Sequence, residues 1–349
     1  LGKFWKIIDH RTNLRNLGSF LANEVDSAWS GLFLLAFNYV LISRTNYQVK
    51  FNNTNNKSIS KSSIDSIFQK LNNQMSTYDS KSEISIFNKS KNNLKISNEF
   101  QYVINRSKFW TKVTSGAFDI TIFPLLSIWG FGPFGSGKIT KIPERNLIQD
   151  KLSFIGSKNI TIDNNILIKD NENVEIDVNA IAKGYGVDLV FEFLDRHNMK
   201  DIMVEVGGEI RAKGKNKFGK IWSYGIETPN LNSKNQNSYN YIIELNNRSM
   251  ATSGDYRQFS MINKKIYSHT IDPRNGYPSI NNAASVTVLA PKCIDADALS
   301  TSLMILDINK GIELIESMDD VEALIILRDN DSYKTIKTSG MKIKTGMHN

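Results

Sequence analysis

The spacing of hydrophobic residues changes several times along the chain, and each change marks an element. Tyr47, Val49 and Phe51 alternate with polar residues as a strand does, and a polar Asn/Ser/Lys loop follows over 52–61. Ile64, Ile67, Phe68, Leu71 and Met75 recur at helical spacing and predict an amphipathic helix over 63–76. Phe100, Val103, Ile104, Trp110 and Val113 predict a second helix, capped at Ser97 and ended by Gly116. Between them, 82–88 is polar and apolar by turns, and Pro124, Trp129-Gly130 and Gly132-Pro133 mark an irregular segment afterwards.

The second half reads mainly as strands. Short ones are expected at 160–162, 166–168 and 174–178, linked by Asp/Asn turns. A helix over 179–198 buries Val187, Val190, Phe193 and Leu194, and strands follow at 202–206, 209–212, 221–227, 241–245 and 284–290. The Asn/Ser-rich stretch 230–239 reads as a surface loop. A helix beginning at Ile294, another over 309–318 and a hairpin of 321–327 with 333–337 close the chain. No internal repeat is apparent. The expectation is an α+β fold, mixed β-sheets flanked by helices, in a single domain spanning 45–345.

Residues 1–44 differ from the rest. Lys3, Lys6, Arg11 and Arg15 precede an apolar run at 28–42, broken only by Trp29-Ser30-Gly31 and Asn38. A run of this length is short for a membrane span of about 20 residues. A positive flank before it fits a signal-peptide core or a marginal anchor, with a buried helix as the alternative.

Composition adds little for function. With 349 residues, 40% hydrophobic and 22% charged, the chain can bury one large core or two modest ones. The net charge of +8 comes from lysines scattered among Asn, Ser and Ile, so no nucleic-acid partner is expected. The lone cysteine, Cys293, excludes an intramolecular disulfide framework and a cysteine-based zinc site. It does not sit in a lipobox, so a lipoprotein anchor is not expected.

Candidate chemistry gathers in three places. Of four histidines, His10 and His348 lie near the ends and His197 in a predicted surface helix, which leaves His269 among reactive groups. Asp272-Pro273 and Asn275-Gly276 form a turn signal after a strand, presenting His269 and Asp272 together; an ordinary hairpin with a satisfied histidine is the alternative. The helix start at 179–186, small residues with Lys183, suits a phosphate, although close helix packing explains its glycines equally well. Asp297 and Thr301 share one helical face, which suits a hard cation such as Mg2+; a helix N-cap with Asp near the positive end is the plainer reading. Aromatic residues around 118–133 could plug the core or carry a planar ring.

Seen together, these segments resemble the ApbE family of FAD:protein FMN transferases over residues 45–341. The resemblance rests on Met75-Ser76-Thr77-Tyr78 with Ser82-Glu83-Ile84-Ser85, Ser115-Gly116-Ala117-Phe118-Asp119, and the Asp177-Val178-Asn179-Ala180-Ile181-Ala182-Lys183-Gly184-Tyr185 segment. It continues through Gly207-Gly208-Glu209-Ile210-Arg211, Thr252-Ser253-Gly254-Asp255-Tyr256-Arg257, His269-Thr270-Ile271-Asp272-Pro273-Arg274-Asn275-Gly276 and Asp297-Ala298-Leu299-Ser300-Thr301. The family usually begins its first strand with Met-Gly-Thr, where this chain reads Ser43-Arg44-Thr45.

The resemblance implies Mg2+-dependent transfer of FMN from FAD to a Ser or Thr hydroxyl of a target protein, with release of AMP. It implies that Tyr78, Ala117, Phe118, Asp119, Asp177, Lys183 and Ile271 meet the flavin nucleotide. It implies a metal held by Asp297, Thr301, Ser300 and the carbonyl of Ala180. His269 or Asp297 would take the hydroxyl proton. The expected partner is the acceptor domain of a membrane redox flavoprotein complex in the bacterial periplasm, with the N-terminal segment as a possible attachment to the inner membrane. The rival readings are an FAD pyrophosphatase, in which water replaces the protein hydroxyl, a non-catalytic flavin-binding protein, and a structural membrane-associated protein.

Overall fold

The structure is a computed structural model that describes residues 5–8, 46–52, 59–133, 135–227, 239–255, 259–262, 265–329 and 332–345. The apolar run at 28–42 and Ser43-Arg44-Thr45 lie outside the described residues. Strand β1 (Trp5–Ile8) and β2 (Tyr47–Asn52) are followed by helices α1 (Lys61–Met75) and α2 (Glu83–Lys89), strand β3 (Asn93–Lys95) and α3 (Asn98–Val113). Two short helices, α4 (Phe123–Ile128) and α5 (Arg145–Leu152), and the hairpin of β4 (Ile160–Asp163) and β5 (Ile166–Lys169) lead to α6 (Asn179–Arg196). Next come β6 (Lys200–Val206), β7 (Glu209–Ala212), β8 (Trp222–Glu227), β9 (Tyr239–Leu245), β10 (Arg248–Gly254) and a ribbon of β11 (Phe259–Ile262) and β12 (Lys265–Ser268). Strand β13 (Ala283–Ala290), α7 (Cys293–Leu303), α8 (Ile308–Glu316), β14 (Glu322–Asp329), β15 (Ser332–Lys337) and β16 (Lys344–Thr345) complete it.

The expected α+β class is what the chain adopts, and every pairing between the strands named here is antiparallel. The main sheet has eight strands in the order β1-β2-β6-β7-β10-β13-β14-β15. All of β13 is buried, because the sheet is covered on both faces. Val286, Val288 and Ala290 pack with α6 and α7 on one face. Leu289, with Met250 and Ile326, packs on the other against Trp222 and Ile243 of the small sheet β16-β9-β8.

Two segments depart from the sequence expectation, and a third, 82–88, to which it gave no element, is helical. Residues 174–178 are not a strand: Asn88 bonds both Ile176 N and Ile176 O, at 2.8 and 2.9 Å, and replaces a neighbouring strand. Stretch 82–88 becomes helix α2, because Ser82 caps it through Ser85 N and Ile84 and Phe87 are both buried. The segment after Gly116 is partly helical, with Pro124 in the first turn of α4, where its missing N–H costs nothing.

Candidate active site

The site is built where α6 crosses α7. Gly184 permits the crossing: a Cβ there would lie 2.3 Å from the Cys293 carbonyl oxygen and 2.8 Å from Asp297 Cβ. At this approach the Gly184 N–H donates to Asp297 Oδ2 at 2.9 Å. Ala180 lies one turn earlier, and helix geometry aims its carbonyl at the same amide, so that carbonyl and the Asp297 carboxylate converge. One turn later, Asp188 accepts from Cys293 N and Ile294 N, both at 3.0 Å, and from Arg211 at 2.7 Å, fixing the start of α7. Asp297 is therefore not a helix cap; it is a buried residue inside α7.

Lys183 links α6 to the sheet. Its ammonium pairs with Glu209 of β7 and lies 3.8 Å from Asp297 Oδ1. Glu209 is buried, and its Oε2 has no hydrogen-bond partner among the described residues. Burial pushes the Glu209 carboxyl up to about 7 despite Lys183. Burial also holds Asp297 above the usual carboxylate range, against the pull of Lys183 and the Gly184 N–H. Burial opposes the Lys183 charge, but Asp297 and Glu209 outweigh it and keep its pKa above that of an ordinary lysine. Two carboxylates face one ammonium, so the pocket has a deficit of positive charge.

Hydroxyls complete this cluster. Ser253 Oγ of β10 lies 2.8 Å from Ser300 Oγ and 3.1 Å from Thr301 Oγ1. Ser300 donates to the Asp297 carbonyl at 2.9 Å. The structure thus brings together Lys183, Asp297, Ser300 and Thr301 of the sequence-derived set. It adds Glu209 and Ser253, to which sequence reasoning gave no role although both stand in motifs it singled out. Strand parity carried a signal: Ser253 shares a face with Ala251, whose neighbours are the helices, and Glu209 shares one with Arg211.

His269 follows β12 directly and is half-buried. Its loop is tied to the end of α7: Ser279 donates to Met304 O at 2.6 Å, and Asn281 to Leu306 O at 3.0 Å. Asp272 is occupied by its own turn, accepting from Arg274 N at 2.9 Å, Arg274 Nη2 at 2.8 Å and Asn275 Nδ2 at 3.3 Å. Gly276 has φ +77°, as the turn signal requires, and its carbonyl accepts from Trp129 at 2.8 Å. Ile271 is buried with Leu125, Trp129 and Ile148 beneath the turn.

The remaining flavin candidates line the approach to α6. Asp177, just ahead of that helix, accepts from Asn179 N at 2.7 Å and Asn179 Nδ2 at 2.9 Å, and burial lifts its carboxyl to about 6. Asp177 N donates to Ile120 O at 2.7 Å, which joins this segment to the one after Asp119. Asp119 accepts from Thr121 Oγ1 at 2.6 Å and Ser157 N at 3.0 Å, so both of its oxygens hold the loop. Ala117 and Phe118 are buried, and Gly116 lies against the Arg274 side chain of the histidine loop. Tyr78, in contrast, is 57% exposed. Buried Ala117 and Phe118 behave as core, whereas Tyr78 has the exposure of a platform.

The arrangement has known counterparts. The sequence pattern of the ApbE family matches residues 44–325. The FAD:protein FMN transferase of Haemophilus influenzae is 39% identical over 286 residues, covering 80% of this chain and 81% of its own. The structure of the flavin transferase ApbE from Vibrio cholerae superposes with a TM-score of 0.76 at 36% identity, over 85% of this chain and 94% of that one. The apo flavinyl transferase ApbE of Pseudomonas stutzeri does so with a TM-score of 0.76 at 31% identity, over 84% and 91%. The chain belongs to the ApbE family.

Proposed function

We propose that the chain transfers FMN from FAD to a Ser or Thr hydroxyl of an acceptor flavoprotein and releases AMP. The acceptor oxygen forms a bond to the FMN-side phosphorus, and the bond from that phosphorus to the bridging oxygen breaks; AMP keeps the bridging oxygen. The observation that carries this reading is the convergence on Asp297 of a backbone N–H, an ammonium and, one turn along α7, a hydroxyl cluster. Such a cluster suits a polyanionic substrate accompanied by a hard cation.

Mg2+ fits the donor set. Among the described residues no three His, Cys, Asp or Glu side chains are grouped to chelate a metal. A cation would therefore rest on the Asp297 carboxylate, the Thr301 hydroxyl, with Ser300 beside it, and the Ala180 carbonyl, leaving other positions to phosphate oxygens. When bound, it would neutralise pyrophosphate charge and complete the charge balance of the Lys183–Glu209–Asp297 cluster.

The chain's own groups then divide the work. Lys183, held by Glu209, presents positive charge beside Asp297 to the phosphates. Asp297 is poorly placed as the base, because Oδ2 is bonded to Gly184 N and Oδ1 faces Lys183. His269, half-buried on a loop fixed to the end of α7, is the better group to accept the acceptor's proton. Tyr78 supplies an exposed ring for the isoalloxazine, and Asp177 lies at the start of α6 to meet the nucleotide. The proposed acceptor is a domain of a membrane redox flavoprotein on the periplasmic face of a bacterium. The positively flanked apolar run at 28–42 supports a location near that membrane; among the described residues no helix is long and apolar enough to cross one.

The roles are tested by following covalent flavin fluorescence on an acceptor domain, with FAD affinity measured in parallel. His269→Ala should keep FAD binding and lose labelling by about 10²-fold or more. Asp297→Ala should lose labelling together with Mg2+-dependent FAD binding. Full labelling by His269→Ala would remove it as the base, and AMP release without labelling would favour hydrolysis.

A further inference from the structure

The hydroxyl protons beside Asp297 can be assigned one at a time. Ser300 Oγ lies 2.9 Å from the Asp297 carbonyl, which can only accept, so the Ser300 proton is committed there. Ser253 Oγ is 2.8 Å from Ser300 Oγ and must therefore be the donor in that pair. With the Ser253 proton committed, the 3.1 Å contact to Thr301 has Thr301 as its donor. The order runs from Thr301 to Ser253 to Ser300 to the Asp297 carbonyl.

This order fixes what Thr301 can do. Its proton points at β10, so the oxygen offers only lone pairs on its other side. An oxygen in that state can ligate a cation, but it cannot donate to a phosphate. Ser302, the next residue, bonds back to the Ala298 carbonyl at 2.7 Å; among the described residues the Thr301 hydroxyl has Ser253 as its partner instead. Burial separates the two candidate ligands in the same sense. Ser300 is fully buried and engaged by the protein both as donor and as acceptor, whereas Thr301 is half-buried and engaged as donor.

We propose that Ser253 is a positioning residue that turns the Thr301 hydroxyl so that its lone pairs face the cation, and that Ser300 serves this chain of hydroxyls and not the ion. The inference rests on the reading that a divalent cation binds at Asp297 and Thr301. Polar partners that orient a metal's ligands typically change affinity 10–100-fold when removed, and that is the effect expected here.

The test is Mn2+ binding to the full chain with FAD present, followed by electron paramagnetic resonance, beside a melting curve for each variant. Asp297→Asn should abolish high-affinity Mn2+ binding. Ser253→Ala should weaken it about 10–100-fold while melting close to wild type. Ser253→Thr, which restores the hydroxyl, should recover the affinity. Ser253→Cys, a near-isostere with a weak acceptor, replaces the alanine variant if that one does not fold. Wild-type Mn2+ affinity in Ser253→Ala or Ser253→Cys, with Asp297→Asn deficient, would overturn the role of Ser253 alone. Equal losses in Ser253→Ala and Ser253→Thr would attribute the effect to packing and overturn it too. Wild-type affinity in Asp297→Asn would remove the cation reading and this inference with it.

Discussion

Gly184 shows how a position without a side chain can decide a site. Its N–H reaches Asp297 only because nothing stands between α6 and the first turn of α7, where a Cβ would meet backbone atoms that cannot swing aside. Gly184→Ala should therefore cost about 1–3 kcal/mol by overpacking and should also loosen Asp297. Urea denaturation measures the first effect and Mn2+ binding the second; a variant equal to wild type in both would contradict the close approach. Asp177 carries a pH signature. Burial lifts its carboxyl to about 6, whereas the unfolded chain returns it to about 3.9. Between these values the folded protein keeps a proton that the unfolded chain has lost. The group's favourable contribution is full below about pH 4 and is lost as pH rises through about 6. Relative to Asp177→Asn, the wild type should lose up to about 3 kcal/mol of stability between about pH 4 and about pH 7, by denaturation at each pH. A difference that is flat or rises with pH would refute the assignment.

The elements that place the site differ in how plainly the sequence announced them. Helices α1, α6 and α7 were legible, because each repeats apolar residues at helical spacing or opens with a distinct motif. Strand β13 was legible from Ala284, Val286, Val288 and Ala290 at every second position. Segment 174–178 was not, since its apolar alternation is genuine but its partner is the Asn88 side chain, 88 positions from Ile176, where no neighbouring strand exists. Helix α2 was obscured because over a seven-residue stretch a helical and a strand pattern are hard to tell apart. The long-range cap at Asp188 was equally invisible, because it joins α6 to the start of α7, about a hundred residues later. Asp188→Ala should cost about 3 kcal/mol, since it frees two N–H groups and leaves Arg211 without its buried partner. Asp188→Asn should cost less. An unfolding free energy for Asp188→Ala equal to wild type would show that α7 does not depend on this cap.

For the molecule as a whole, the antiparallel sheet brings distant motifs together. Glu209 on β7 and Ser253 on β10 occupy neighbouring strands, and α6 and α7 lie across them on one face. Asp297, Thr301 and Lys183 could be named from motif order alone, because each carries its own local pattern. Glu209 and Ser253 could not be given roles, because which partners a strand residue meets depends on the order of strands in the sheet. The opposite face, closed by β8, β9 and β16, bears none of the proposed groups. Both faces are packed, and the charged cluster of Lys183, Glu209 and Asp297 lies on the one that α6 and α7 cover. The direct measurement is the intact mass of an acceptor domain after incubation with the protein, FAD and Mg2+, with AMP quantified in the same reaction. The account predicts a mass gain of one FMN less water, one AMP per labelled acceptor, and neither product with Asp297→Ala. An unmodified acceptor beside released AMP, or labelling undiminished in Asp297→Ala, would contradict it.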